Sequence, residues 1–523
     1  MSGAEHWFET QPDWFKTAVF YELHTRAFFD SSDDGNGDFR GLRQKLDYLQ
    51  WLGIDCIWIL PFYPSPLRDG GYDISDFLSV SPEFGTTDEF AAFVESAHER
   101  GMRVITDFVM NHTSSEHPWF RNALADPNGP DRARYVFRPG RDGGPPNNWE
   151  SAFGGPAWTE DERSGEYYLH LFAPEQPDLD WHNETVRQAF QQILRFWLDR
   201  GVDGFRVDVA QSLYKERDLA DVHIPDPRPR FGDWHTGLQQ PELHDLYREW
   251  RQIVEEYPGD RMLVGEMFLA DQTRLAEYVR PGELQQTFNF RFLFEEWDAA
   301  SLRTCIDEIL AAFAAVGAPA TWVLENHDVP RVATRYGGGA EGVRRARAAA
   351  LLMLALPGAA YVYAGQELGL EEVDLADELR QDPIFARTGG RRAGRDGCRV
   401  PIPWTTGPGV GFTTGTPWLP MPPWWERSSV AAQDGDSQSM LELYRATLRL
   451  RRQLRALASG RLAWRDSPPG SLVFERAADS STVVCVVNVD APSVPLPEGE
   501  LVLASDGLEG SFLPPGTAAW LEG

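Results

Sequence analysis

Four short stretches hold the residues of this chain that could do chemistry: Asp107-Phe-Val-Met-Asn-His112, Gly204-Phe-Arg-Val-Asp208, Gly265-Glu266 and Glu325-Asn-His-Asp328. Each follows an apolar, strand-like run and ends in polar side chains. In the second, Phe205 and Val207 fall on one face of a strand, and Arg206 and Asp208 on the other. Burying an arginine and an aspartate is costly unless they pair, and alone these two would make an ordinary structural ion pair. Three further stretches of the same kind turn the reading toward catalysis. Carboxylates without metal-ligand histidine spacing suit acid–base work on a neutral substrate. Two of them can split a glycosidic bond, one attacking or stabilising the sugar cation and the other protonating the leaving oxygen.

Those residues need a scaffold, and the surrounding pattern supplies one. Strand-like runs at 19–23, 56–60, 102–108, 204–207, 262–264, near 287–290, 321–324 and 360–363 alternate with helical spacing at 39–52, 87–100, 184–200, 241–257, 302–316 and 343–356. Strand–helix alternation with eight strands predicts a closed parallel barrel. His112, Asp208, Glu266 and Asp328 then fall at the C-terminal ends of strands three, four, five and seven, where such a barrel keeps its active site. From 113 to about 178 the rhythm breaks into Gly, Pro, Asn and Trp, too long a stretch for a plain loop. A second irregular stretch, 366–425, suits a loop over the barrel mouth. After a helix at 439–457 the tail alternates like short antiparallel strands. The expected fold is α/β: a (β/α)8 TIM barrel with an inserted B domain after strand three and a C-terminal antiparallel β-sandwich. The expected segments are 1–112, 113–179, 180–458 and 459–523.

A formal net charge of −30 argues against nucleic acid or an anionic membrane as partner. The four cysteines, Cys56, Cys305, Cys398 and Cys485, have no metal-like spacing and fit a reduced, cytoplasmic protein. The start, Met1-Ser-Gly-Ala-Glu-His-Trp, lacks the basic and apolar regions of a secretory leader. No run of eighteen apolar residues predicts a membrane span. Between the first strand and the first helix, Asp30, Ser32, Asp34, Asn36 and Asp38 place oxygen side chains at every second position, with glycines between. That pattern suits a hard cation such as Ca2+ or Mg2+, with the Asn36 carbonyl among its ligands. The alternative is an Asp/Gly-rich turn ahead of a helix.

In order and in content, the four stretches resemble the signature regions of the α-amylase superfamily, glycoside hydrolase family 13. The resemblance covers the whole chain. It implies Asp208 as nucleophile, Glu266 as general acid/base and Asp328 as the carboxylate that fixes sugar hydroxyls, with Arg206 beside the nucleophile. Tyr72, Asp73, His112 and His327 would line the pocket for the sugar being cut. Gln176-Pro-Asp-Leu-Asp180 looks like a fifth region of the oligo-1,6-glucosidase and α-glucosidase group, in which Asp180 departs from the usual Asn. Arg395-Asp-Gly-Cys-Arg-Val-Pro-Ile-Pro-Trp404 resembles that group's arginine segment, and by this match Arg399 would pair with Asp73 and close the pocket behind one glucose. The loop at 30–38 resembles the group's metal loop, with Ser32 in place of Asn. Val209, directly after the nucleophile, goes in that group with acceptance of α-1,6 bonds, although it could equally be only a β-branched barrel residue. The resemblance thus implies a retaining, exo-acting α-glucosidase for short oligosaccharides or other α-glucosides, able to transfer glucose. It implies no cofactor for the chemistry and one structural Ca2+ or Mg2+. Trp58-Ile-Leu-Pro-Phe-Tyr-Pro-Ser-Pro-Leu-Arg68 looks equally like trehalose synthase, so a glucosyl isomerase is the alternative, and a catalytically silent relative the third.

Overall fold

The structure is a computed structural model and describes residues 11–227 and 230–523. The chain start on which the leader was judged lies outside the described residues. Eight strands form the central sheet: β1 Val19–Leu23, β2 Cys56–Ile59, β3 Arg103–Phe108, β4 Gly204–Val207, β5 Met262–Gly265, β6 Gln286–Thr287, β7 Thr321–Val323 and β8 Ala359–Tyr363. They pair in the order β7-β8-β1-β2-β3-β4-β5-β6, all in parallel. Between β6 and β7 side chains take over from the ladder. The Thr321 hydroxyl donates to the Thr287 carbonyl at 2.6 Å, and the Asn289 amide donates to the Thr321 carbonyl at 3.2 Å. The barrel is thereby nearly closed.

Alternation along each strand builds two apolar layers. Phe20, Cys56, Trp58, Ile105, Met262, Val264, Val323 and Tyr361 form one cluster. Phe20 and Tyr361 stack there with ring centroids 4.3 Å apart, so the interior is a packed core and not a pore. The alternate residues, such as Tyr21, Ile57, Val104, Phe205 and Leu263, join the larger cluster that the surrounding helices cover. One of those helices, Thr87–Glu99, starts on a full capping box, Thr86 with Glu89.

Three elements depart from the periodicity, the first being the helix expected at 439–457, which breaks at Leu454 into Met440–Gln453 and Arg455–Ser459. The expected helix at 39–52 is two helices, Phe39–Gln44 and Leu46–Leu52, joined at Lys45. The Lys45 ammonium sits 4.0 Å from the Phe29 ring centroid and 4.1 Å from that of Trp404, a tertiary attraction that helical spacing does not encode. The sixth strand is shorter and earlier than expected, and Phe290–Phe294 is a helix. Phe288 and Phe290 stack in the interior cluster.

After β3 comes a three-stranded antiparallel sheet of Phe137–Pro139, Glu166–Leu169 and Trp158–Asp161. Its core of Trp149, Trp158, Leu169 and Leu171 is completed by Leu219 and Val222 from the loop after β4. The Trp149 indole donates to the Ala220 carbonyl at 2.9 Å. The insertion therefore leans on a segment beyond the expected boundary at 179. The C-terminal domain is a five-stranded antiparallel sheet (461–464, 471–478, 481–488, 517–522, 500–504) with a two-stranded ribbon, Val494–Pro495 and Phe512–Leu513. Phe474, Cys485 and Trp520 on one face join the main core. Val473, Val484, Val486 and Leu521 on the other pack under the ribbon. The second layer of the expected sandwich is only that ribbon. Among the described residues no helix is long and apolar enough to cross a membrane.

Candidate active site

Arg206, near the end of β4, organises the centre. Its Nη1 is 2.6 Å from Asp107 of β3 and 2.5 Å from Asp208, and its Nη2 is 2.5 Å from Glu266, one residue past β5. All four side chains are buried, Arg206 at 1% exposed and Asp107 fully. The Trp58 indole donates to the far oxygen of Asp107 at 3.1 Å. Three carboxyls around one guanidinium cannot all be ionised cheaply in a dry site. Burial pushes Asp107 to about 6 against the pull of Arg206. Burial also raises Asp208 and Glu266; Arg206 opposes both shifts, Glu266 adds to the rise of Asp208 and Asp328 to that of Glu266. The Asp208 and Glu266 carboxyls influence each other's ionisation, so they titrate as a linked pair.

Beyond β7 a second cluster of charges forms a wall of ion pairs. Asp328 is 22% exposed, the most open of these carboxylates, and its Oδ1 accepts from Arg399 Nη2 at 3.0 Å and Arg395 Nη1 at 3.2 Å. Against burial, His327, Arg395 and Arg399 hold Asp328 well below the usual carboxylate range. Arg395 also reaches Asp69 at 2.5 Å and Asp382 at 2.6 Å. This corrects the pairing read from the sequence. Arg399 pairs with Asp328 and the His327 carbonyl (2.9 Å), not with Asp73. Asp73 is fully buried and caps its own turn, accepting from the Ser65 hydroxyl at 2.8 Å and from the Arg68 and Asp69 amides at 3.1 Å each. The ion pair that joins these two segments is Arg395–Asp69. Gln176 Nε2 ties this wall to the insertion, 2.9 Å from Asp69 and 3.1 Å from His112 Nε2. His112 Nε2 also lies 3.2 Å from the Tyr72 carbonyl, and burial lowers its pKa to about 4. The Tyr72 ring lies parallel to that of His327 at 5.5 Å, with its hydroxyl 2.7 Å from His327 Nε2.

A model of the alpha amylase catalytic domain matches residues 22–460. The chain belongs to the α-amylase family. It is 36% identical over 478 residues to an oligo-1,6-glucosidase of Parageobacillus thermoglucosidasius, covering 84% of each chain. It is 36% identical over 502 residues to a probable alpha-glucosidase of Rhizobium meliloti, covering 92% of this chain and 90% of that one. Among solved structures, the alpha-glucosyl transfer enzyme XgtA superposes with a TM-score of 0.90 at 37% identity, over 98% of this chain and 100% of that one.

Within this α-amylase-family site, Val209 adopts a left-handed backbone (φ 45°) directly after Asp208. A β-branched residue is strained there. Its N–H donates to Glu266 Oε2 at 3.1 Å, which helps place the acid/base candidate. The loop at 30–38 is self-satisfied. Asp30 accepts from the amides of Ser32, Asp33 and Gly35 at 2.7–2.9 Å. Asp38 accepts from the Ser31 amide and caps the next helix through the Gly41 amide. Asp34 accepts from the Asn36 amide, and Asn36 accepts from Arg26. Ser32 and Asp34 face solvent. Among the described residues no three His, Cys, Asp or Glu side chains converge as a metal cluster. As placed, the loop has the hydrogen bonds of an Asp/Gly-rich turn.

Four participants escaped the sequence reading: Asp69, Arg395, Lys215 and Glu22. Lys215 is buried, 2.7 Å from both Asp178 and the Asn111 carbonyl oxygen of the side chain, and so braces the segment that carries His112. Its signal was a lone lysine in an apolar stretch of a chain poor in lysine. Asp69 and Arg395 stand four residues from the partners chosen, within the same motifs.

Proposed function

We propose that the chain is a retaining, exo-acting α-glucosidase that removes single glucose units from short oligosaccharides of the maltose and isomaltose type. The observation that carries it is the buried Asp208–Glu266 pair on one guanidinium, standing beside a wall closed by Asp69, Arg395, Asp328 and Arg399. Asp208, ionised and held by Arg206, attacks the anomeric carbon while Glu266 gives its proton to the leaving oxygen. A glucosyl ester on Asp208 and a free aglycone result. Glu266, now ionised, takes a proton from water, whose oxygen displaces Asp208 and releases glucose. A sugar hydroxyl in place of that water gives transfer, which the likeness to a glucosyl-transfer enzyme supports. Asp328, Tyr72, His112 and His327 bind the glucose, and Val209 faces the choice between α-1,4 and α-1,6 bonds. The unpaired state of all four cysteines supports a cytoplasmic setting.

Product analysis tests this. Maltose and isomaltose are expected to give glucose released first as the α-anomer, with starch hardly cut. Asp208→Asn and Glu266→Gln are expected to lower kcat by about a thousandfold or more. Trehalose as main product would select the isomerase, β-glucose would overturn retention, and endo-type fragmentation of starch would overturn the closed wall.

The alternating oxygen side chains support one further proposal, a structural Ca2+ or Mg2+ on the loop of Asp30, Ser32, Asp34, Asn36 and Asp38. The ion would draw Asp30 and Asp38 away from loop N–H groups, so its affinity is modest. Chelation is expected to lower the melting temperature by about a degree or two and to leave the turnover of folded enzyme unchanged. A melting curve moved by neither chelator nor added Ca2+ identifies a plain turn.

A further inference from the structure

We propose that Glu22, on β1, is a positioning residue that acts through His327, keeping a proton on the outer ring nitrogen, Nε2, so that the ring donates a hydrogen bond into the sugar pocket. The proposal rests on the glucosidase reading for its substrate, but the protonation itself belongs to the free enzyme. Glu22 is fully buried, and its Oε1 accepts from the His327 amide at 3.1 Å and lies 2.5 Å from His327 Nδ1. Its other oxygen, Oε2, is buried without a partner. The far edge of the His327 ring points away from Glu22, with Nε2 2.7 Å from the Tyr72 hydroxyl and 3.5 Å from Asp328 Oδ1.

A carboxylate with one bare oxygen in a dry site is costly to ionise. Burial raises the Glu22 carboxyl well above its ordinary range. The His327 amide and Arg206 on β4 oppose, and Asp328 beyond β7 and Asp107 on β3 raise it further. Tyr363 on β8 also faces Glu22. Burial disfavours extra positive charge on the His327 ring, and Arg399, Arg206 and Arg395 add to this against the pull of Asp328. The pair is therefore neutral overall and carries two protons. One lies in the short contact between Oε1 and Nδ1. Placing the second on Oε2 would bury an O–H with no acceptor, so it resides on Nε2. This holds whether the first proton is nearer oxygen or nitrogen. Nε2–H then donates to the Tyr72 oxygen, and the Tyr72 proton turns to Asp107 Oδ2 at 3.4 Å. When glucose enters, the same N–H meets a ring hydroxyl.

In Glu22→Gln the amide oxygen still accepts from the His327 amide and from an Nδ1–H, while the NH2 takes the place of Oε2 without an acceptor, which lowers stability. The ring then carries its proton on Nδ1 and loses the donor at Nε2. Nitrogen-15 NMR of histidine-labelled full-length enzyme, with His327 assigned by His327→Gln, reads this directly. A protonated Nε2 is expected in the wild type and a bare Nε2 in Glu22→Gln. A bare Nε2 in the wild type would overturn the proposal even if the variant failed to fold or no glucoside were cleaved. Kinetics add a second readout. With 4-nitrophenyl α-glucoside, Glu22→Gln is expected to lose about tenfold in kcat/KM. Among the 2-, 3-, 4- and 6-deoxy forms, that loss should vanish for the one lacking the hydroxyl His327 meets. An equal loss on all four would reduce Glu22 to a packing role.

Discussion

On the proposed exo-acting reading, a single guanidinium, that of Arg395, limits how far a substrate can extend. It bridges Asp69, Asp328 and Asp382, so the loop after β2, the end of β7 and the loop after β8 meet on one cation. Asp69→Ala is expected to open that wall and yet leave the fold intact, because Asp382 and Asp328 still neutralise Arg395. Maltose should then bind about tenfold more weakly, while the rate on maltoheptaose relative to maltose rises. Steady-state kinetics on a ladder of malto-oligosaccharides measure both, and an unchanged ratio would move the wall elsewhere. The sequence located this wall in the right two segments and with the wrong partners, for a physical reason. Asp69 and Asp73 are four residues apart, and so are Arg395 and Arg399, each pair bracketing a turn. Charge pattern offers either member of each pair. Only the side-chain geometry shows that Asp73 satisfies its own turn and leaves Asp69 to meet Arg395. The carboxylates of the candidate site were legible because each follows shortly on an apolar strand run. Glu22 was not, because it sits inside its strand, where a carboxylate breaks the pattern and gives no motif.

Among the elements, the helix Pro118–Ala125 in the insertion depends on an uncharged imidazole. His117 is its N-cap, and Nδ1 accepts from the Trp119 amide at 3.1 Å. A protonated ring has no acceptor to offer. Burial lowers the His117 pKa to about 4 from an ordinary value of 6.5. With the folded value depressed, its contribution is intact above pH 6.5 and is lost as pH falls from there toward 4. In His117→Asn the cap is kept by a side chain that does not titrate. The melting temperature of the variant relative to the wild type is expected to rise by about a degree or two between pH 7 and pH 5. A difference independent of pH would mean that the imidazole is charged in the fold. Element positions were legible wherever apolar spacing was long and regular, as in 87–100 and 184–200. They were lost where a tertiary contact overrode spacing, at Lys45 between two aromatic rings and at Asn289, whose side chain replaces the β6 ladder.

At the scale of the molecule, the C-terminal sheet is fastened to the barrel at one helix end. The helix Gly339–Ala355 leaves its last carbonyls without helical partners, and two arginines from different segments collect them. Arg451, on the helix Met440–Gln453, donates to the carbonyls of Leu354 and Gly358 at 2.5 Å and of Leu356 at 3.1 Å. Arg476, on the second strand of the C-terminal sheet, donates to Ala355 at 2.5 Å and to Gly460 and Leu457 at 3.0 Å each. A cation at a helix C-terminus also complements the helix dipole. The Trp520 indole adds a bond to the Leu351 carbonyl at 3.2 Å. Burial, with Arg451 adding to it, lowers Arg476 to about 9, so it stays charged at neutral pH. Arg476→Met keeps much of the volume but strands three carbonyls in a dry interface, which is expected to cost about 3 kcal/mol. Because the same arginine ties sheet to barrel, the loss should appear as one calorimetric transition at lower temperature. A new early transition, with the barrel melting where it did before, would show that the sheet folds as a unit of its own and that the arginine clamp only positions it.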